Sequence, residues 1–553
     1  MKDHRFAMLV VLDGWGVGPA SPGNAMSQAN TPNMKRFLAS FPHTQLGASG
    51  ESVGLPRGEV GNTETGHLNL GAGRIVYQDL ARINMSIADG SFFENQVLID
   101  ATEHVIKNKS KLHVMGLIGA GGVHSNIEHL YALLHFAAQK HISEVYLHAF
   151  TDGRDSPPNA SATYLSQVQD VMNREKVGKI ASVMGRYWAM DRDLRWDRTA
   201  KAYFALTKGE GHLFKTAKEI IDDSYLRGQS DEFIEPSLIS DAAGKPIALI
   251  ENNDAVVFFN FRIDRPRQLA RAFILPEISS EMGFDPYTIK YEKHHMRDKN
   301  VPTIGFQRGP LLTNLFFGTM TEYEKPLIEA GARPLFPPEH ISMPLGRAVS
   351  VEGLRQLRAS ESEKERFVTF YFNGQQETAF PGEERLIVPS PKVPTYDLKP
   401  EMSAVELTEA VYQKLLHDGD FALVVINFAN ADMVGHTGNL SAAIKALETL
   451  DVCLGKLSQY VLSRGGLMVI TADHGNAEEM INPKSGAVST EHTDNPVPFI
   501  AIAKEFEAKP EMIPSGILAD VAPTILSYLN IGIPASMMGR NLLADFKTST
   551  LSR

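Results

Sequence analysis

Short apolar runs that stop at a polar turn recur along this chain, and they leave few folds open to it. Ala7–Leu12, residues 422–429, Leu467–Thr471 and residues 498–503 lie toward the two ends, and each is apolar without the alternation of a half-exposed strand. Such runs read as buried strands of a largely parallel sheet covered on both faces. Between them the pattern turns helical. In AAIKALETLDVCLGKLSQYVLSRGG, Ile444, Leu447, Leu454, Leu457 and Val461 approximate one apolar face, and Gly465 offers a stop. Strand, turn, helix, strand predicts a doubly wound α/β domain. The middle of the chain has its own series, LHVMGLIG, EVYLHAF, KIASVMG and AVVFFNF, with helical segments such as HLYALLHFAAQKH between them. A second α/β unit is therefore expected. Each strand ends in a turn carrying polar or charged residues, which is where open α/β sheets bind ligands.

The 553 residues exceed what one ordinary core can hold, so about two to four domains are expected, two large ones being simplest. With 43% hydrophobic and 22% charged residues the composition is that of a globular protein, and no apolar run approaches the roughly 20 residues needed to cross a bilayer. No membrane association is expected. The apolar part of MKDHRFAMLVVLDGWG is short and enters an Asp-Gly turn without a small-residue cleavage site, so it reads as a first strand, not a signal peptide. The single cysteine, Cys453, excludes an intrachain disulfide and fits a reducing cytoplasm. A net charge of −11 argues against nucleic-acid binding but leaves room for a local basic pocket.

Three motifs near the C-terminal end carry potential metal ligands: Asp432 and His436 in NFANADMVGHTG, Asp473 and His474 in VITADHGN, and His492 in TEHTDNPVP. A lone Asp or His in a loop is more often a cap or a satisfied polar group. Several together, two of the motifs directly after apolar runs, point to a metal site, and carboxylate with imidazole and no thiolate suits an open catalytic one. Four residues of spacing set Asp432 and His436 on one face of a helical turn. Asp473 and His474 can serve one site only where the strand has already ended. At the other end, Asp13 closes the first strand in LDGWG, as a site carboxylate or as a turn-former. In GNTETGHLNLGAGR the glycines admit an anion, and Thr63 offers a hydroxyl that is either a nucleophile or a helix cap.

The middle segment supplies arginines soon after its strands: Arg154 with Asp155 in TDGRDSPP, Arg186 and Arg192 in MGRYWAMDRDLRWDR, and Arg262 and Arg265 in FNFRIDRPRQ, with His124 in GGVHSN. Arg suits bidentate binding of carboxylate and phosphate. Any one of them alone reads as a surface ion pair, worth about 0–1 kcal/mol. Stacking of RNA on the aromatic stretch is opposed by Asp191, Asp193 and Asp197.

At these residues the chain closely resembles the 2,3-bisphosphoglycerate-independent phosphoglycerate mutases of the alkaline phosphatase superfamily. VLDGWG, GHLNLGAGR, GGVHSN, DGRD, GRYWAMDRDLRWDR, NFRIDRPRQ, GLRQLRASESEK, DMVGHTG, TADHGNAE and HTDNPVP stand in the family's order from LDGWG to the C-terminus. The resemblance implies a discontinuous phosphatase-like metal-binding domain, residues 1–78 and 339–553, with a transferase domain, residues 79–338, inserted into it. It implies two divalent metal ions, with manganese favoured and cobalt, zinc or magnesium compatible, and no bisphosphoglycerate. Asp432, His436 and His492 would hold one ion, and Asp13, Thr63, Asp473 and His474 the other. His124, Arg154, Asp155, Arg186, Arg192, Arg262, Arg265 and Lys364 match substrate-binding positions, with Thr63, Lys364 and Asp155 expected to be catalytic. The implied activity is interconversion of 3- and 2-phosphoglycerate through a phosphothreonine in a cytoplasmic protein, expected to be a monomer. The family usually has Ser in GNSEVGH, whereas this chain has Thr63 and Thr65, and the added methyl restricts χ1. Asn126 stands where a second His is common. The chain also reads as longer than compact bacterial members, with the surplus between Arg267 and Lys364. A metal-dependent phosphatase or sulfatase, a phosphopentomutase and a non-catalytic metal binder remain the rival readings.

Overall fold

A computed structural model describes residues 5–278 and 305–546. The chain divides into two compact units, residues 1–78 with 340–553, and residues 79–339. Residue 339, assigned to the outer domain on sequence, falls in the second unit.

The first unit is built on an eight-stranded sheet in the order Glu383–Val388, Arg355–Glu361, Phe421–Phe428, Ala7–Leu12, Leu467–Thr471, Val497–Ile502, His43–Gly47, Gly516–Ile517. The first five run parallel. Ala7–Leu12, Phe421–Phe428 and Leu467–Thr471 are buried along their whole length. This is why they read as unbroken apolar runs: helices cover both faces, and fully burying one Val, Leu or Ile side chain contributes about 1.5–3 kcal/mol. The last of the predicted strands, Val497–Ile502, departs from the parallel reading, for it pairs antiparallel with both neighbours. An apolar run reports burial and not direction. Here the connection from Thr471 stays at the edge where that strand ended, so the chain re-enters the sheet from the same side. The predicted helix spans Leu440–Ser463 and buries Leu447, Leu454, Leu457 and Val461. Gly465, at φ +63°, ends it.

Register makes the first unit a site. Leu12 pairs with Phe428, and Val11 with Thr471, so three adjacent strands finish level with one another. Asp13, Asp432 and the Asp473–His474 pair all lie just beyond those ends.

The second unit has its own eight-stranded sheet, in the order Arg333–Phe336, Phe316–Thr321, Ala255–Phe258, Leu112–Ile118, Val145–Thr151, Lys179–Gly185, Ser237–Ile239, His212–Phe214. The run AVVFFNF ends its strand at Phe258, earlier than expected. Asn260 there turns its side chain back to accept from the Leu117 amide at 2.9 Å. Alternate residues of Leu112–Ile118 feed separate cores, Leu112 and Val114 one, Met115 and Leu117 the other. Ile118, Thr151 and Gly185 again align, so the His124, Asp155 and Arg186 turns leave from one edge of this sheet. No described helix is long and apolar enough to cross a membrane.

Candidate active site

Thr63 opens the Thr63–Ala72 helix. Asn62 is the cap, its side chain accepting from the Thr65 amide at 2.9 Å, so the Thr63 hydroxyl is not needed for capping. That hydroxyl lies 3.0 Å from His474 Nε2 and 3.4 Å from Asp13 Oδ1, and accepts from Lys364 Nζ at 3.1 Å. It stands at the positive end of a helix dipole, where a developing anion is favoured. Gly66, one turn into the helix, lets it lie against the strand end: a Cβ there would come 2.5 Å from the Asp473 carbonyl oxygen. Gly14 does the same for the Asp13 turn. Its φ is +77°, and a Cβ would come 2.7 Å from Asp432 Cα.

Two sets of donors gather here. In the first, Asp432 Oδ1 lies 3.1 Å from His436 Nε2 and 3.1 Å from His492 Nε2, and the two Nε2 atoms are 3.1 Å apart. Atoms bound about 2.0–2.2 Å from one ion are roughly 3.4 Å apart at tetrahedral angles, so this triangle has the size of a coordination face. Each imidazole gives its Nδ1 proton to a main-chain carbonyl, His436 to Thr490 at 2.7 Å and His492 to Gly61 at 2.9 Å. Such bonds fix the tautomer whose Nε2 lone pair faces the shared point.

The second set is Asp13, Asp473 and His474, all buried. The predicted strand ends at Thr471, and His474 Nε2 lies 3.4 Å from Asp13 and 3.6 Å from Asp473 Oδ2. Asp473 Oδ2 is buried and, among the described residues, has His67 Nδ1 at 3.2 Å but no well-aligned hydrogen bond, which leaves a lone pair for an ion. Carboxylates, imidazoles and a hydroxyl are donors for manganese, zinc, cobalt or magnesium. Both sets have the chemistry and closeness of divalent-metal sites.

Lys364, buried after the Arg355–Glu361 strand, donates to Asp13 Oδ1 at 2.8 Å and to Asp432 Oδ2 at 2.7 Å, spanning the two sets. Burial pulls its pKa down, but the two carboxylates outweigh that and hold it above the ordinary lysine range. For Asp432 burial acts upward and the Lys364 charge wins, leaving the carboxyl far below its usual range. Asp473 is likewise held low against burial, chiefly by His474. His474, opposed by burial but flanked by Asp473 and Asp13, is pushed up to about 10.

Several residues at this site escaped the sequence reading. His67 gives Nδ1–H to the Thr63 carbonyl at 3.0 Å, with Asp473 Oδ2 at 3.2 Å. Asn427 Nδ2 donates to Asp13 Oδ2 at 2.7 Å and to His67 Nε2 at 3.0 Å. Asn476 donates to Asp432 Oδ1 at 3.1 Å. A signal for Asn427 was present, since it is the one polar side chain in FALVVINF and a polar group in a doubly buried strand needs a partner.

The second unit gathers the other predicted residues. Arg154, Arg186, Arg192 and Arg265 line a cavity of about 120 Å³ with Tyr187, Asp191 and Glu232 among its walls. Arg186 donates to Asp152 at 2.6 Å and to Asp155 at 2.5 Å. Arg265 is lowered to about 10 by burial and then by its like-charged neighbours Arg192 and Arg186, which marks an excess of positive charge open to an anion. Asp264, also missed, holds Arg192 at 2.8 Å, Arg262 at 3.2 Å and His124 at 3.4 Å. Asp155 is an ionised carboxylate: burial raises its pKa, but Arg186 lowers it further. Arg154 and Arg262 are the half-exposed members of the group, 57% and 52% by side chain, while Asn126 caps the Ile127–Gln139 helix.

A hydroxyl at a helix N-terminus among metal donors, in a chain that also carries an arginine-lined anion cavity, is suited to moving a phosphoryl group between small molecules. The class is that of α/β phosphoryl-transfer enzymes. The family described as the BPG-independent PGAM N-terminus matches residues 83–325. The 2,3-bisphosphoglycerate-independent phosphoglycerate mutase of Moorella thermoacetica is 48% identical over 540 residues, 98% of each chain. That of Chloroflexus aurantiacus is 47% identical over 545 residues, 98% of this chain and 99% of its own. A solved structure of Leishmania mexicana phosphoglycerate mutase at low cobalt concentration is 29% identical, covers 98% of both chains and has a TM-score of 0.56. The chain belongs to the 2,3-bisphosphoglycerate-independent phosphoglycerate mutases. Its activity is the glycolytic isomerisation of 3-phosphoglycerate and 2-phosphoglycerate. The bacterial relatives match over almost their whole length, so the stretch between Arg267 and Lys364 is shared with them. Part of it, residues 279–304, lies outside the described residues.

Proposed function

We propose that the mutase reaction runs through a phosphothreonine at Thr63. The contacts of its hydroxyl with His474, Lys364 and Asp13 at a helix N-terminus carry this reading. Thr63 Oγ1 attacks the phosphorus of 3-phosphoglycerate. The new P–Oγ1 bond forms as the P–O3 bond breaks, and O3 leaves as a hydroxyl with the proton that Thr63 gave up. Lys364, whose charge is held by Asp13 and Asp432, balances negative charge on the transferring oxygens. Asp13, Thr63, Asp473 and His474 would hold one divalent ion and Asp432, His436 and His492 a second, manganese in our reading, and these ions would supply Lewis acidity toward the hydroxyl and phosphoryl oxygens.

Glycerate is retained between the two transfers by Arg154, Arg186, Arg192, Arg262 and Arg265, which bind its carboxylate, with His124 as a further donor. Its O2 then attacks the phosphothreonine, and P–O2 replaces P–Oγ1. Asp155, kept ionised by Arg186, is the group we assign to accept the proton from the glycerate O2 hydroxyl and pass it to solvent, while the leaving Thr63 Oγ1 takes up a proton in exchange, so that both groups return to their starting states. No bisphosphoglycerate enters, because the chain's own threonine holds the phosphoryl group. We further assign the enzyme to the cytoplasm, as a monomer that binds no nucleic acid.

The experiment is to supply metal-loaded protein with 3-phosphoglycerate alone, quench it, and map phosphorylation by mass spectrometry. Phosphate on the peptide containing Thr63 is expected, as are loss of 2-phosphoglycerate formation in Thr63→Ala and its retention in Thr63→Ser. Mutase activity surviving in Thr63→Ala would sink the assignment.

A further inference from the structure

Glu478 takes no part in the chemistry above, yet its carboxylate ties together the loops that present the metal donors. The residue is 3% exposed. Its Oε2 accepts from the amides of Gly16 at 3.1 Å and Asn476 at 2.8 Å. Its Oε1 accepts from Asn495 Nδ2 at 3.1 Å and from the Thr493 hydroxyl.

These donors come from three stretches of chain, each carrying a donor of the candidate site. Gly16 is in the turn after Asp13, Asn476 follows His474, and Thr493 follows His492. The Asn476 side chain extends the link to Asp432 Oδ1. One carboxylate therefore connects Asp13 and Asp473–His474 on one side with Asp432 and His492 on the other. Space is kept for it. A Cβ on Gly16 would lie 2.2 Å from Glu478 Cδ, and one on Gly475 would lie 2.4 Å from Oε1.

We propose that Glu478 is a positioning residue that sets the separation of the two metal-binding sets without being a ligand of either. The inference rests on the metal reading given above. Hydrogen bonds to an ionised acceptor are roughly twice as strong as neutral ones, so a buried carboxylate with four donors is a stiff anchor. Glutamine has nearly the same shape but one acceptor oxygen, and its NH2 must face one pair of donors however it is turned.

The test titrates purified Glu478→Gln with Mn²⁺ and follows free and bound ion by electron paramagnetic resonance. Expected are Mn²⁺ binding weaker by about 10–100-fold, as for other groups that orient ligands, and an altered spin coupling between the bound ions. The kcat should fall with the KM for 3-phosphoglycerate unchanged. Thr493→Val with Asn495→Ala removes only the Oε1 donors, keeps the carboxylate, and should weaken binding in the same direction even if Glu478→Gln fails to fold. Wild-type affinity and coupling in the folded variants would overturn the proposal. Asp432→Asn separates the two levels of the argument. If it too binds Mn²⁺ like the wild type, the metal reading fails. If it alone loses Mn²⁺, only the role of Glu478 fails.

Discussion

His474 carries the sharpest consequence at the scale of single residues. Burial lowers its pKa, Asp473 and Asp13 raise it by more, and the balance lies at about 10. The imidazole thus holds its proton at neutral pH, whereas a metal ion needs the lone pair. The sign follows: below about 10 the ion competes with a proton, and affinity should rise about tenfold per pH unit from 7 to 9. Calorimetric titration with Mn²⁺ in buffers of different ionisation enthalpy should show about one proton released from His474. Binding that releases none, with affinity flat from pH 7 to 9, would remove His474 from the ligand set. The candidate ligand types were legible in the sequence because Asp and His after apolar runs have few other reasons to cluster, and the structure brings them together in two groups. What supports them was not. Asn427 and His67 act through side-chain geometry across the Phe421–Phe428 strand and the Thr63–Ala72 helix, and no spacing along the chain encodes that.

The Thr63–Ala72 helix presents the hydroxyl proposed as the nucleophile. Asn62 ends the extended chain and caps the helix, and Thr63 follows at its first position with a hydroxyl directed to His474, Lys364 and Asp13 instead of to the helix end. The sequence left Thr63 open as cap or nucleophile because both want a small hydroxyl residue before a helix; Asn62, one residue earlier, is the cap, so the Thr63 hydroxyl is not needed for capping. Every residue of this helix except Glu64 is buried, so its position depends on how closely it approaches its neighbours. Gly66→Ala tests this. The added Cβ would meet the Asp473 carbonyl oxygen at 2.5 Å and Asp473 Cβ at 2.6 Å, both too close to tolerate. Helix propensity favours Ala by about 1 kcal/mol, so a helix-only view predicts a more stable protein of unchanged activity. The contact predicts the reverse: displacement of Thr63, and kcat lower by on the order of 100-fold, with far-UV circular dichroism little changed. Strand direction was similarly hidden. Val497–Ile502 was legible as buried, but its antiparallel sense follows from a same-edge connection that carries His492, and hydrophobicity is silent on that.

For the whole molecule, the division into two units separates the donors cleanly. All the candidate metal donors belong to residues 1–78 and 340–553, and the arginine cavity to residues 79–339, each unit with its own sheet and its own core. The apolar runs revealed two α/β series, but which runs share a sheet depends on pairings such as Leu9 with Val425, far apart in the chain. Family resemblance, rather than pattern, carried that step. A ligand that binds only the native state stabilises it by RT ln(1 + [L]/Kd), about 2.7 kcal/mol at 100 times Kd. Manganese should therefore slow amide exchange in Phe421–Phe428 and Leu467–Thr471 by up to about 100-fold, where exchange needs the first unit to open. In Leu112–Ile118 and Val145–Thr151, strands of the other unit, the same addition should change exchange little. The measurement is hydrogen–deuterium exchange with and without Mn²⁺. Equal protection of both sheets would mean that the units open as one, and protection confined to the second would place the metal with the arginines instead of with Asp13, Asp432 and Asp473.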